Sequence, residues 1–275
     1  MMNHRSLTTV LLVALSLAAP KAAAAPTQQP PAVAAAAVTE HLGERVPLEL
    51  GFTSAQRTPV RLGELVRGDR PVLLVLAYAR CEMLCSVVLQ GVADAVAGMD
   101  SLAPGRDYQL IVVSIDARES ADEAARKQTR LLERIGHPGE TARWPYLIGR
   151  EADIRALAAS LGFGYAWDAA AQQYAHPAVA FVLTPDGRIA RYLYGVQYPA
   201  ATLAVALRSA SRGVLQPTAA AAVADDIIRC FRFDPGSRRY GARIQRYFRA
   251  GAILVFGMLA GLVGGLILWE RRRAA

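Results

Sequence analysis

The sequence predicts an α/β sandwich with parallel inner strands and a terminal antiparallel pair, and three observations predict it. Two uninterrupted apolar runs, Val72 to Tyr78 and Tyr108 to Ile115, have the length and Val/Leu/Ile content of buried strands. Each is followed by apolar residues at helical spacing, and a crossover helix is what joins parallel neighbours. Late in the chain, Val179 to Leu183 and Ile189 to Tyr194 flank Pro185-Asp186-Gly187, which reads as a hairpin.

Taken in order, residues 1–25 read as a secretory signal. His4 and Arg5 precede the apolar run Leu7 to Ala19, and small residues follow to Ala25. That run is too short to span a bilayer. Residues 26–45, rich in Ala, Pro and Gln at the start, are expected to be a flexible linker. The domain is expected over 46–213. It opens with a hairpin built on Leu48, Leu50 and Phe52, then Val60, Leu62 and Leu65, and continues into the Val72 strand. A helix follows through Leu84, Val87, Val88, Val92, Ala95 and Val96. After the Tyr108 strand, Ser120 and Glu123 form a capping box for a helix to Ile135, stopped by Gly136. Trp144 to Ile148 is a short strand. Glu151 to Leu161 is an amphipathic helix ended by Gly162, and Pro199 to Ser211 is the last helix. This order fits a thioredoxin-like fold with an added N-terminal hairpin.

Beyond the domain, 214–249 forms a juxtamembrane extension carrying Cys230. Residues 250–269 are uncharged, apolar and long enough to cross a bilayer, with Trp269 at the far edge, and 270–275 is a short basic tail. Arg243, Arg246 and Arg249 on one side balance Arg271, Arg272 and Arg273 on the other, so charge alone does not orient the span. The signal at the N-terminus does: the domain is exported and the tail stays inside. Gly257, Gly261 and Gly265, four apart, offer a close helix–helix face for a homodimer.

The net charge of +8 rests on Arg, with Lys only at Lys21 and Lys127. No basic run carries interleaved aromatic residues, which argues against a nucleic-acid partner, and the basic excess near the C-terminus favours a membrane surface. Three cysteines are too few for a disulfide scaffold.

Two of them define the candidate site. Cys81 and Cys85 stand where the Val72 strand hands over to a helix, one turn apart, so a helical turn puts them on nearly one face. The N–H groups and dipole of a helix start favour thiolate over thiol. Thiolates serve both soft-metal binding and disulfide exchange, and both chemistries stay open. His176, in Tyr174-Ala175-His176-Pro177 before the Val179 strand, is the candidate third group, reading equally well as a metal ligand or a loop histidine. Two thiolates and an imidazole suit copper as Cu(I) and Cu(II). Disulfide exchange without obligatory copper is the alternative, though its familiar spacing is one residue shorter. A peroxidase is disfavoured: Arg80 is adjacent, but no Ser or Thr lies one turn upstream. Met83 reads as packing, Glu82 as a first-turn acid, and His4, His41 and His137 as solvated.

Cys81-Glu82-Met83-Leu84-Cys85, Ser114-Ile115-Asp116, and His176 ahead of Phe181-Val182-Leu183-Thr184-Pro185-Asp186-Gly187-Arg188 resemble the Sco/SenC family. The resemblance covers about Leu50 to Ser211. It implies a thioredoxin-fold, membrane-anchored copper protein that delivers copper to, or prepares the thiols of, the copper site of cytochrome c oxidase subunit II. It also implies a single-pass protein of the bacterial inner membrane with its main domain in the periplasm. By position, Cys81, Cys85 and His176 would be the copper ligands and Asp116 a supporting group. Ser86 stands where the family has Pro, and the anchor is C-terminal where many members have it N-terminal.

Overall fold

The computed structural model describes residues 31–80, 84–136 and 144–217, with short pieces beyond residue 232. By contact the chain divides into Met1–Pro31 and Ala32–Ala275, and the whole sheet belongs to the second unit. This seven-stranded sheet forms around the two runs that read as buried strands. In chain order the elements are α1 (Pro31–Ala35), β1 (Gly51–Ser54), β2 (Pro59–Arg61), α2 (Leu62–Leu65), β3 (Val72–Ala77), α3 (Leu84–Ala97), β4 (Gln109–Ser114), α4 (Ala121–Ile135), β5 (Tyr146–Gly149) and α5 (Glu151–Ser160). Then come β6 (Ala166–Asp168), β7 (Gln173–Ala175), β8 (Val179–Leu183), β9 (Ile189–Tyr194) and α6 (Ala200–Ser211).

The strand order is β2-β1-β5-β4-β3-β8-β9. The pairs β3/β4 and β4/β5 are parallel, whereas β8 adds antiparallel to β3 and β9 to β8. All six residues of β3 are buried, as expected for a strand with neighbours on both edges and layers on both faces. The expected N-terminal hairpin is β1/β2. It joins the sheet through β5, with Phe52 opposite Gly149, and not through the strand that follows it in sequence.

Helix α3 buries Val88, Leu89, Val92, Ala93 and Val96, a stripe at helical spacing, and packs against α4 and α6. Gly91 permits the approach of the β9–α6 loop, because a Cβ there would stand 2.0 Å from the Val196 carbonyl oxygen. Helix α4 starts as the sequence predicts. Glu123 N–H donates to the Ser120 hydroxyl, Glu123 accepts from Ser120 N–H, and Gly136 closes the helix at φ 85°.

Five expectations need correction or qualification. The signal at 1–25 lies outside the described residues. The linker expected over 26–45 is described from residue 31, and from there it is tied to the domain. Thr39 N–H donates to Gly162 O (2.9 Å), Gly164 N–H to Ala37 O (2.8 Å), Gly43 N–H to Ile189 O (2.8 Å) and Ile189 N–H to Glu44 O (2.9 Å). His41, expected to be solvated, contacts Ser160 O through Nδ1 (3.1 Å) and donates its N–H to the Tyr192 hydroxyl. The membrane helix expected at 250–269 is described only in part, by helical residues that include 251–253 and 255–259. Among those described, no helix is long and apolar enough to cross a membrane. Of the extension 214–249, the described part includes an antiparallel contact between Phe233–Asp234 and Arg239–Tyr240, and Cys230 is outside it.

Candidate metal centre

The site assembles where β3 ends, because the sheet brings three distant segments to that edge. Cys85 lies in the first turn of α3 and is fully buried, and His176 follows β7 at 7% exposure. They are 91 positions apart in sequence, yet Cys85 Sγ meets His176 Nε2 at 2.5 Å. On its other side His176 Nδ1 lies 2.9 Å from the Pro177 carbonyl oxygen. A carbonyl can only accept, so Nδ1 donates there and Nε2 is the ring nitrogen that faces the sulfur. Metal-binding histidines are commonly fixed in this way, with the non-ligating N–H on a backbone carbonyl.

Aromatic rings enclose the imidazole. Tyr78 stands edge-on to it at 6.3 Å between centroids, and Phe163 is tilted against it at 6.0 Å. Tyr174 continues this wall outward, 5.5 Å from Tyr78 and 5.1 Å from the half-exposed Trp167. Trp167 and Tyr174 face each other across β6/β7, a small hairpin that the sequence pattern does not announce. Tyr174 N–H donates to the Tyr78 hydroxyl at 3.2 Å, tying that hairpin to the end of β3. Burial raises the Tyr174 hydroxyl above the ordinary tyrosine value and pushes that of Tyr165 up to about 12, so these rings stay neutral walls.

Asp116 is almost fully buried and accepts from Arg118, at Oδ1 from N–H (3.0 Å) and Nε (2.8 Å) and at Oδ2 from Nη2 (3.2 Å). The Arg118 guanidinium lies over the Trp167 ring at 4.5 Å. Asp116 thus steadies the aromatic wall through Arg118. Arg80 is committed to Glu123 (Nε to Oε1, 2.8 Å) and to the Arg118 carbonyl (2.9 Å), which draws its guanidinium away from a role beside a thiol. Ser86, next to Cys85, accepts from Lys127 Nζ at 2.6 Å, so its hydroxyl links the start of α3 to α4.

One residue of the site is not marked in the sequence. Glu119, only 5% exposed, accepts from Ala79 N–H (2.7 Å) and from the Ser114 hydroxyl (2.9 Å). Burial raises its carboxyl above the usual range, against the opposing pull of those donors. Its position just before a helix cap gives it the look of an exposed first-turn acid.

Cys81, Glu82 and Met83 lie outside the described residues. Among those described, no group of three or more His, Cys, Asp or Glu is arranged to hold a metal. The described donors nonetheless fit copper: a thiol sulfur in contact with an imidazole Nε2, in a buried and aromatic-walled setting where soft and borderline ligands are favoured.

Parallel strands flanked by helices, an antiparallel terminal pair and a thiol at the first turn after the inner strand define a mixed α/β protein of the thioredoxin-like class. The chain matches the SCO1/SenC family over residues 52–211, more than half its length, and belongs to that family. Comparison with curated proteins gave no match. Among solved structures, a putative electron transfer protein from Aquifex aeolicus VF5 is similar at 23% identity and TM-score 0.55, covering 63% of this chain and 95% of its own. A SCO1/SenC family lipoprotein from Bacillus anthracis is similar at 15% identity and TM-score 0.50, covering 64% and 98%. Arabidopsis thaliana ScoI, solved with copper bound, shares 16% identity at TM-score 0.47, covering 60% and 96%.

Proposed function

We propose that this chain is an exported copper-binding protein of cytochrome c oxidase assembly. In this reading it holds one copper through Cys81, Cys85 and His176 and passes it to the copper site of subunit II, or prepares the thiols there. The observation that carries the reading is the contact of Cys85 Sγ with His176 Nε2, with Nδ1 occupied by the Pro177 carbonyl. That pairing fixes which imidazole nitrogen is available to a metal, and Cys81 stands one helical turn before Cys85 in sequence. Copper leaves such a site by ligand exchange onto reduced thiolates of the acceptor, with no bond-making catalysis. The signal-like residues 1–25 and the apolar stretch 250–269 support a domain held outside the cytoplasm beside the inner membrane.

Copper titration of the reduced full chain tests this. One copper per chain is expected, with binding lost in the Cys85→Ser variant. Equal uptake by Cys85→Ser, or uptake by neither, would remove the reading.

A further inference from the structure

Phe163 stands between two glycines in the turn that follows α5, and its ring packs against His176 and, at 6.1 Å, against Phe181 of β8. On one side the turn is held by α5 itself, since Phe163 N–H donates to Ala158 O at 2.8 Å. On the other it is held by the segment 36–45. Thr39 N–H donates to Gly162 O and Gly164 N–H to Ala37 O, which makes Val38 and Phe163 an antiparallel pair of the non-hydrogen-bonded kind. Side chains of such a pair stand closest of any in a ladder, and Val38 is packed against the core. A Cβ on Gly162 would stand 1.7 Å from the Thr39 carbonyl oxygen, and one on Gly164 2.2 Å from that of Ala35, so both glycines leave room for this backbone. Further on, the segment is fastened to β9. His41 N–H donates to the Tyr192 hydroxyl, which donates in turn to Leu161 O, and the Tyr194 hydroxyl donates to Glu40. None of residues 36–45 is fully buried, so the segment adds little apolar burial of its own to offset the entropy lost in ordering it. What it does supply is a fixed backing for Phe163.

We propose that the segment 36–45 is a strap that positions His176: by pairing with Phe163 it holds that ring against the imidazole and keeps Nε2 aimed at Cys85 Sγ. The hydrogen bond from Nδ1 to the Pro177 carbonyl is made to the next residue in sequence, so it travels with the His176 backbone and does not by itself fix the ring relative to Cys85. The neighbouring rings of Tyr78 and Phe163 confine it instead. Tyr78 directly follows β3 and is placed by the sheet, whereas Phe163 lies in a turn and is placed by the strap. Phe163 is thus a positioning residue for the imidazole, and the strap acts through it.

The copper arm of the test rests on the proposed function, and the arm read without copper does not. Full-length chain is made with isotope-labelled histidine, and the imidazole signals of His176 are those missing from His176→Ala. In the copper-free wild type, NMR should show one set of His176 ring signals and a slowly exchanging Nδ1 proton. Gly164→Ala pushes a Cβ into the strap without touching the Phe163 side chain, Phe163→Ala removes the ring, and Phe163→Leu keeps apolar bulk in its place. Gly164→Ala and Phe163→Ala are each expected to lose the slow Nδ1 proton and to weaken Cu(II) binding by roughly 10- to 100-fold, with Phe163→Leu close to wild type in both. Hydrogen exchange at Thr39 N–H reports whether the strap has moved. A strap released in Gly164→Ala with the His176 signals and Cu(II) affinity unchanged overturns the proposal. So does a lowered melting temperature in Phe163→Ala with the His176 signals unchanged, since that is the result of a merely structural ring. If Gly164→Ala does not fold, or leaves Thr39 protected, Thr39→Pro, which removes the N–H given to Gly162, is held to the same expectation. Absence of copper binding in the wild type removes the proposed function, while the His176 signals still decide the role of the strap.

Discussion

His176→Ala separates the contribution of the imidazole to the fold from its contribution to the metal. Without copper, the substitution removes a buried contact to Cys85 Sγ and opens space beside Tyr78 and Phe163. A buried hydrogen bond is worth about 1 kcal/mol and a cavity of this kind roughly 1–3 kcal/mol, so apo stability should fall by about 2–4 kcal/mol. For a domain of this size each kcal/mol moves the melting temperature by about 2–4 °C. The metal term is read as a difference within each variant, so the apo loss cancels. At a free Cu(II) concentration of about a hundred times Kd, wild-type protein gains about 2.7 kcal/mol, or about 5–11 °C. If loss of the imidazole weakens binding about a hundredfold, the variant sits at its own Kd under the same conditions. It then gains only RT ln 2, about 0.4 kcal/mol, which is about 1–2 °C. Differential scanning fluorimetry with buffered Cu(II) measures both gains. Equal copper-induced shifts in wild type and His176→Ala would refute the assignment of Nε2 as a ligand, whatever happens to the apo protein.

Packing and charge pairing yield two more expected outcomes. Gly91→Ala puts a Cβ 2.0 Å from the Val196 carbonyl oxygen, a backbone atom that cannot rotate away. It should therefore destabilise by at least about 2 kcal/mol, and a melting temperature within about 2 °C of wild type would show that the β9–α6 loop yields. Glu123 is held down to about 2 from its ordinary 4.5, first by the hydrogen bond from Arg80 and then by Ser120. A carboxyl lowered on folding contributes stability that is complete above the unfolded value and is lost as pH falls through the folded one. The melting-temperature gap between wild type and Glu123→Gln should thus narrow steadily from about pH 5 to about pH 2, and a constant gap would mean the pair contributes nothing.

Much of the fold was legible because its signals are local. The capping box Ser120/Glu123 and the stop at Gly136 delimit α4 from sequence, and the Pro185-Asp186-Gly187 turn sets β8 against β9. The path of residues 36–45 was not legible, because that segment is held mainly by backbone hydrogen bonds to Gly162, Gly164 and Ile189, and these leave no side-chain pattern. The hairpin β6/β7 has strands of three residues, too short for periodicity to register, though Trp167 opposite Tyr174 is what it exists to pair. Of the site, residue identity marked Cys85 and His176, whereas their contact depends on β8 joining β3 antiparallel, a pairing between strands about a hundred residues apart. Glu119 could not be read at all. Whether an acid before a helix cap faces water or a strand end is decided by tertiary packing alone.

The burial of Cys85 bears on which of the two thiol chemistries the site is built for. Disulfide exchange begins with in-line attack by an accessible thiolate, and its rate depends on access as well as on thiolate fraction. Cys85 has no exposed surface, and its sulfur is turned toward an imidazole within an aromatic enclosure. Such a thiol is poorly placed to attack an incoming disulfide and well placed to remain a ligand. Any exchange with a partner would have to open at a thiol other than Cys85, with Cys85 entering only to resolve a mixed disulfide. A metal asks for the opposite arrangement. One buried sulfur and a buried imidazole with Nδ1 held by a backbone carbonyl give a pre-organised pair of donors, and the remaining ligand can come from a residue near the rim. In the proposed reading, the same depth that would slow exchange would keep a bound soft ion from water, and release would depend on an acceptor whose thiolates reach the site.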